Sequence, residues 1–287
     1  MRRSTKFVLS VLVALIAACL NGLFGSEKFT RIDLRALDSV NSKFEERVVA
    51  CMPTVSRPKG ASYVDAAART FREVTRNSPY FRRLVIFVMD LEPQKNVVVQ
   101  RLKRASKARA HSWLTVLDGE RRHAKDPTRR EHGDPPDRIT WRSKEALDYA
   151  ETLERCIEIA GDVSYILVVQ DDVTFGQEFK DIAIWADRLH RRPKSRICAL
   201  SLFDISQRVD SKPEKSSNMV AKLYKPAVAK EFVDYARSMF DHSPIDWLHR
   251  DFCAARNLQI LVKYPNPIDH KGVVSTFERN KRETMSQ

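Results

Sequence analysis

The sequence predicts an α/β fold in which a mostly parallel central sheet is covered by helices on both faces. Short, nearly unbroken apolar runs recur along the chain, at Arg47–Met52, Leu84–Met89, Tyr165–Val169, Ile197–Phe203 and Ile260–Tyr264. Runs of that length without alternating polar positions suit strands buried on both sides, as in parallel sheets. Between them lie stretches with apolar residues at helical spacing, and strands alternating with helices build βαβ units. The 287 residues, 43% of them hydrophobic, supply a full core for one domain of ordinary size or two small ones.

Each element follows from local signals. Arg47–Met52 is stopped by Pro53, and Ser62–Asn77 places Val64, Ala67, Phe71 and Val74 on one helical face. Leu84–Met89 ends at Asp90, after which a helix and a basic flexible loop, at about 104–138, are expected. Ser143 is a suitable cap for a helix with Leu147, Ala150, Leu153, Ile157 and Ala160 on its apolar face, and Gly161 is its terminator. Tyr165–Val169 follows and carries Gln170, Asp171 and Asp172 at its end. Phe179–Arg191, Ala227–Phe240 and Ile245–Asn257 read as further helices, Arg208–Asn218 as a polar loop, and Ile260–Tyr264 as the last strand. Ligands of such sheets bind beyond the carboxyl ends of the strands. That gathers Pro53–Gly60, the segment from Asp90 and Gln170–Thr174 around one cleft.

Charge and targeting signals narrow the function. Fifty basic residues against 37 acidic give a formal net charge of +13, which suits an acidic partner. The excess is concentrated in Arg101–Arg109 and Arg121–Arg130, where aromatics are few. No stacking platform or recognition helix accompanies it, so it reads as a solvated basic loop and no nucleic-acid partner is expected. Met1–Lys6 is basic and Phe7–Phe24 almost purely apolar. A stretch of about 18 residues spans most of a hydrocarbon core, and basic residues on its amino side remain cytosolic. The expected organisation is a cytosolic tail at 1–6, a signal-anchor helix at 7–25, a stem of helical character at 26–46 and a lumenal domain at 47–287. The small residues Ala17, Ala18 and Cys19 leave a cleaved signal as the alternative. Cys51, Cys156, Cys198 and Cys253 then face an oxidising lumen, where they are open to one or two disulfides of undetermined pairing.

Adjacent aspartates at the end of a buried strand repel one another, and a divalent cation removes the repulsion while being held by it. Mg²⁺ or Mn²⁺ there keeps open positions for phosphate oxygens and stabilises a leaving diphosphate. By itself such a pair is also an ordinary solvated turn or helix cap.

The flanking segments resemble a known family. Val49–Arg57 with Ser62–Val64, Ile139–Lys144 continuing to Leu147–Tyr149, and Val168–Val173 are similar to successive blocks of the N-acetylglucosaminyltransferase IV family. Met219–Tyr224 with Phe232–Ser243 and Pro244–Leu248 resembles its acceptor-side helix and Pro-Ile-Asp-Trp-Leu motif. Pro265–Pro267, His270–Gly272 and Ser275 resemble its closing segment. The GalNAc transferase family that decorates protein-attached GPI anchors is similar over the same blocks. Both resemblances imply a GT-A-like single domain, a UDP-HexNAc donor, inversion at the sugar carbon, and a single-pass type II protein of the Golgi membrane with its catalytic domain in the lumen. They imply a glycan or glycolipid acceptor, with GPI-anchor GalNAc transfer as the first expectation. N-glycan β-1,4-GlcNAc branching and a catalytically idle glycan-binding protein of the same fold are the alternatives.

Carried onto this chain, the resemblance implies Asp172 as ligand of Mn²⁺ (or Mg²⁺) and Asp171 as a donor-site carboxylate. Gln170 stands where the families carry Glu, able to bond a ribose hydroxyl but bringing no charge. Thr54 and Arg57 would meet uridine and diphosphate, Arg57 as a fork onto phosphate oxygens. Lys144 and Asp148 would lie near the nucleotide, and His270 would contact diphosphate or metal through a ring nitrogen. An inverting transfer needs a carboxylate to take the acceptor hydroxyl's proton, and Asp246 is the candidate. Each has a plainer reading: surface lysine for Lys144, exposed helix aspartate for Asp148, helix cap for Asp246, structural histidine for His270. Trp247 reads as core rather than as an acceptor-binding wall.

Overall fold

The computed structural model describes residues 31–33, 48–55, 63–89, 97–107, 113–119, 127, 129, 131–204 and 218–272. The expected cytosolic tail, signal-anchor helix and most of the stem lie outside the described residues, as does Arg57. Among the described residues, no helix is long and apolar enough to cross a membrane.

The strands in chain order are β1 (Arg31–Asp33), β2 (Val48–Thr54), β3 (Phe81–Val88), β4 (Leu114–Asp118), β5 (Tyr165–Val169), β6 (Val173–Phe175), β7 (Ile197–Ser201), β8 (Ala221–Tyr224), β9 (Gln259–Tyr264) and β10 (Ile268–His270). Interleaved with them are helices α1 (Val64–Thr75), α2 (Val97–Lys107), α3 (Pro136–Ala160), α4 (Ile182–His190), α5 (Pro226–Ser238) and α6 (Ile245–Ala255). Eight strands form one sheet in the order β1-β9-β7-β8-β5-β2-β3-β4, parallel except for β8, while β10 and β6 form a separate antiparallel ribbon. The expected α/β class with a mostly parallel sheet is therefore what the chain adopts.

The winding creates a switch point. From β2 the chain moves outward through α1, β3 and α2 to β4, then returns along α3 to lay β5 on the other side of β2. Connections that diverge from two neighbouring strands leave a crevice at their carboxyl ends, where ligands of open α/β sheets bind. Both faces of the sheet are sealed. Val48, Ala50, Met52, Tyr165, Leu167 and Val169 face the layer of α1 and α4. Val49, Cys51, Ile166 and Val168 face α3, α5 and α6. That explains why the strands read as continuous apolar runs.

Four expectations are corrected. The helix expected from Ser143 begins at Pro136, where a missing N–H costs nothing, and Ser143 is buried within it. The flexible loop at about 104–138 is interrupted by edge strand β4, and α2 continues to Lys107. Arg31–Asp33, placed in a helical stem, pairs parallel with β9. Ala221–Tyr224, grouped with an acceptor-side helix, is strand β8. A further strand, β10, follows β9. Gly161 does end α3, at φ 62°, a left-handed conformation that favours glycine.

Part of the basic excess is locally matched, since Arg101 lies 2.7 Å from Asp65 and Lys103 bonds Asp118. The cysteine pairing is resolved by the fold: Cys51 of β2 bonds Cys156 of α3, and Cys198 of β7 bonds Cys253 of α6. Each bond staples the sheet to the same helical layer. Replacing the Cys51–Cys156 pair with alanines is expected to lower the unfolding free energy by about 2–5 kcal/mol, read from the urea midpoint. An unchanged midpoint would show that the bond contributes nothing to stability.

Candidate active site

The carboxyl ends of β2 and β5 meet at the switch point. Thr54, the last residue of β2, donates its hydroxyl to Asp171 Oδ2 at 2.6 Å, and both side chains are buried. Gln170 follows β5 with its backbone N–H bonded to the carbonyl of Val220, 2.8 Å away, which pins the acidic turn to the entry of β8. Asp172 is 7% exposed.

The β6–β10 ribbon brings the second half of the site to Asp172. β6 starts immediately after Asp172, and β10 pairs with it in a register that sets His270 opposite Val173. Lys271 extends the ladder by donating its N–H to the Asp172 carbonyl at 2.7 Å. Side chains alternate along a strand, so a one-residue slip would turn His270 away. In the observed register His270 Nε2 lies 3.2 Å from Asp172 Oδ1, and the His270 ring packs near Phe203, with centroids 5.7 Å apart. Gly272 closes over the pair. A Cβ at that position would fall 2.3 Å from Asp172 Oδ2 and 3.0 Å from His270 Nε2, so a side chain there would force the Asp172 carboxylate to shift.

A second group of charges lies along the helical face at the same edge. α5 and α6 are joined by a turn at the carboxyl edge, because α6 leads into β9, which runs parallel to β7. Asp246 therefore sits in the first turn of α6 at that edge. Burial raises its pKa above the ordinary carboxylate value, against the opposing pull of the Trp247 and Asp246 backbone N–H groups, Arg250 and Lys222. Glu145, half-buried on α3, is pushed up to about 7 by burial and by the nearby carboxylates of Asp246 and Asp148. Lys144 immediately precedes it on the same helix.

Sequence reasoning missed Glu145, Lys222 and Asp204. Lys222 is a fully buried lysine in the middle of the sheet, with its Nζ donating to Ser201 Oγ at 2.8 Å. Burial lowers its pKa to about 7, while Asp246 and Asp204 favour its charged form. Asp204 in turn is locked to the end of β9: its N–H donates to Asn266 Oδ1 and its carbonyl accepts from Asn266 Nδ2, both at 2.9 Å. The available signal was a single lysine inside the apolar run Met219–Tyr224. Charge buried in such a run demands a partner.

The structure thus brings Thr54 to Asp171, His270 to Asp172, and Glu145 to both Asp148 and Asp246. Asp148 is half-buried rather than exposed, and His270 faces Asp172. Trp247, read as core, is 39% exposed. Elsewhere, Arg142 and Asp241 are buried to join α3 to the α5–α6 turn, with Arg142 2.7 Å from Asp134 and donating to the carbonyls of Asp241 and His242. Cys198, His249 and Cys253 cluster closely, but the two sulfurs are bonded to each other, leaving no thiolate for a metal. No family model and no curated protein matches this chain.

Lys222 gives the site a testable pH signature. Its pKa is lower in the folded chain than the ordinary 10.5, so the unfolded chain binds more protons between about 7 and 10.5. Stability contributed by this group therefore rises with pH across that window. Lys222→Met is expected to flatten the rise, read from urea midpoints at the two ends of the window. A slope that survives the substitution would place the titration elsewhere.

Proposed function

We propose that this protein is a UDP-sugar-dependent, inverting N-acetylhexosaminyltransferase with a GT-A-like domain. The observation that carries the reading is the buried pair Asp171–Asp172 at the switch point, one carboxylate fixed by Thr54 and the other facing His270 under a glycine. The order of sequence blocks from Val49 to Gly272 supports the same reading.

The residues present fit a divalent cation. Asp172 Oδ1 converges from the acidic turn with His270 Nε2 from β10, and the missing Cβ of Gly272 leaves space against Asp172 Oδ2. An imidazole nitrogen beside a carboxylate suits Mn²⁺ better than Mg²⁺, which prefers all-oxygen shells. When bound, the ion supplies positive charge to the departing diphosphate. The chain's own groups do the rest. Thr54 and Asp171 shape the nucleotide end, and Gln170 offers a neutral amide to a ribose hydroxyl. Arg57, Lys144 and Asp148 remain the further donor-side candidates.

Asp246 is the proposed base. As the acceptor oxygen bonds to the anomeric carbon, its proton passes to the Asp246 carboxylate and the bond to the diphosphate breaks on the opposite face, giving inversion. A carboxyl held above its ordinary pKa is a better proton acceptor near neutral pH. Activity should accordingly rise with pH as Asp246 ionises.

The disulfides Cys51–Cys156 and Cys198–Cys253 support folding in an oxidising compartment, in keeping with a Golgi lumenal domain behind an N-terminal anchor. For the acceptor we take GPI-anchor side-chain GalNAc transfer first and N-glycan branching second, both on the resemblance alone.

Two measurements test the proposal on the full chain in detergent. Hydrolysis of UDP-GlcNAc, UDP-GalNAc, UDP-Gal and UDP-Glc with Mn²⁺ is expected to show turnover of a HexNAc donor. No turnover and no UDP binding would overturn the reading in favour of an idle scaffold. Gly272→Ala is expected to weaken Mn²⁺-dependent UDP binding about tenfold or more, because the new methyl displaces Asp172 and His270. Unchanged binding would remove those two residues from the site.

A further inference from the structure

Among the described residues, the strongly exposed large hydrophobic side chains are Val97, Trp247 and Tyr264, at 77%, 39% and 41%. Trp247 is in the first turn of α6 and Tyr264 ends β9, both at the carboxyl edge of the sheet. An indole left this open forfeits burial free energy that the surrounding fold makes no use of.

The indole is also held in place. The His132 ring meets it edge-on, with centroids 5.2 Å apart and planes at 81°. The Arg250 guanidinium lies over the ring, 5.5 Å from its centroid. His132 is itself fixed, its Nε2 2.9 Å from Ser243 Oγ, and that buried hydroxyl lies 2.8 Å from His242 Nδ1. The rest of the indole is open to solvent, and a flat apolar surface rimmed by polar groups matches a sugar ring, which has one C–H face and a hydroxyl rim. The neighbouring charge argues for a neutral sugar. Glu145, Asp148 and Asp246 form a carboxylate group beside the platform, and Arg250 is already bonded to Asp251 Oδ1 at 3.2 Å through both Nε and Nη2.

We propose that Trp247 is the floor of an acceptor subsite for a neutral pyranoside, stacking on its C–H face and presenting one of its hydroxyls to Asp246. The assignment rests on the transferase reading above and extends it, from the reacting carboxylate to the side chain that positions the second substrate. Consecutive residues of a helix point about 100° apart. Asp246 is accordingly half-buried toward Lys222 while Trp247 faces the rim.

The test uses saturation-transfer NMR on the full chain with UDP and Mn²⁺, titrating methyl α-mannoside, methyl β-galactoside and methyl β-N-acetylglucosaminide. At least one glycoside is expected to be saturated most strongly at the C–H protons of a single ring face. Trp247→Ala should weaken its binding about tenfold and Trp247→Phe should retain most of it. The subsite assignment is overturned by a wild-type protein that saturates none of the three, or by a Trp247→Ala variant that binds as wild type does. UDP affinity, measured on the same samples, separates the two claims. Failure of the wild type to bind UDP removes the transferase reading itself, whereas intact UDP binding with unchanged glycoside binding removes only the subsite.

Discussion

Asp171 and Asp172 are adjacent carboxylates withdrawn from water at the end of β5, where neither is tolerable without a partner. The architecture around them supplies one to each from a different direction. β2 delivers the Thr54 hydroxyl to Asp171 across the switch point. The β6–β10 ribbon delivers His270 to Asp172, from almost a hundred residues away in the chain. Remove the register of that short ribbon and the second carboxylate loses the group that faces it, so a three-residue strand carries a larger share of the site than its length suggests.

The same end of the sheet holds a second electrostatic arrangement that depends on the first strand reversal. Because β8 runs antiparallel between β5 and β7, its Lys222 is flanked by Val168 and Ser201 near the carboxyl edge. From there its charge acts on Asp246 and Asp204. Burial raises Asp246, and Lys222 works against that shift. The candidate base is thus held between burial on one side and the Trp247 and Asp246 backbone N–H groups, Arg250 and Lys222 on the other, and Glu145 stands beside it as a carboxyl that is neutral at mildly acidic pH.

Much of this fold was legible in the sequence because doubly buried strands leave continuous apolar runs, and β2, β3, β5, β7 and β9 all do. The elements that were not legible share a physical reason. β6 and β10 are three residues each and bury their side chains unevenly, so neither leaves a period to read. β4 is an edge strand embedded in charge, and β8 carries a lysine where an apolar residue is expected. At the site, the acidic turn announced itself by its residues. The bond between Thr54 and Asp171 and the exposure of Trp247 depend on tertiary placement, which no local pattern encodes. A serine ahead of an apolar stripe resembles a cap at Ser143, whereas Pro136 starts the helix about two turns earlier.

The proposed cation site joins Asp172 and His270 and serves a nucleotide diphosphate. It is tested most directly by titrating Mn²⁺ into the protein and following loss of the free-ion electron paramagnetic resonance signal, with and without UDP, for wild type and Asp172→Asn. One class of Mn²⁺ site is expected, its affinity raised by UDP and lost in the variant. Mn²⁺ binding that is absent from the wild type, or identical in Asp172→Asn, would contradict it.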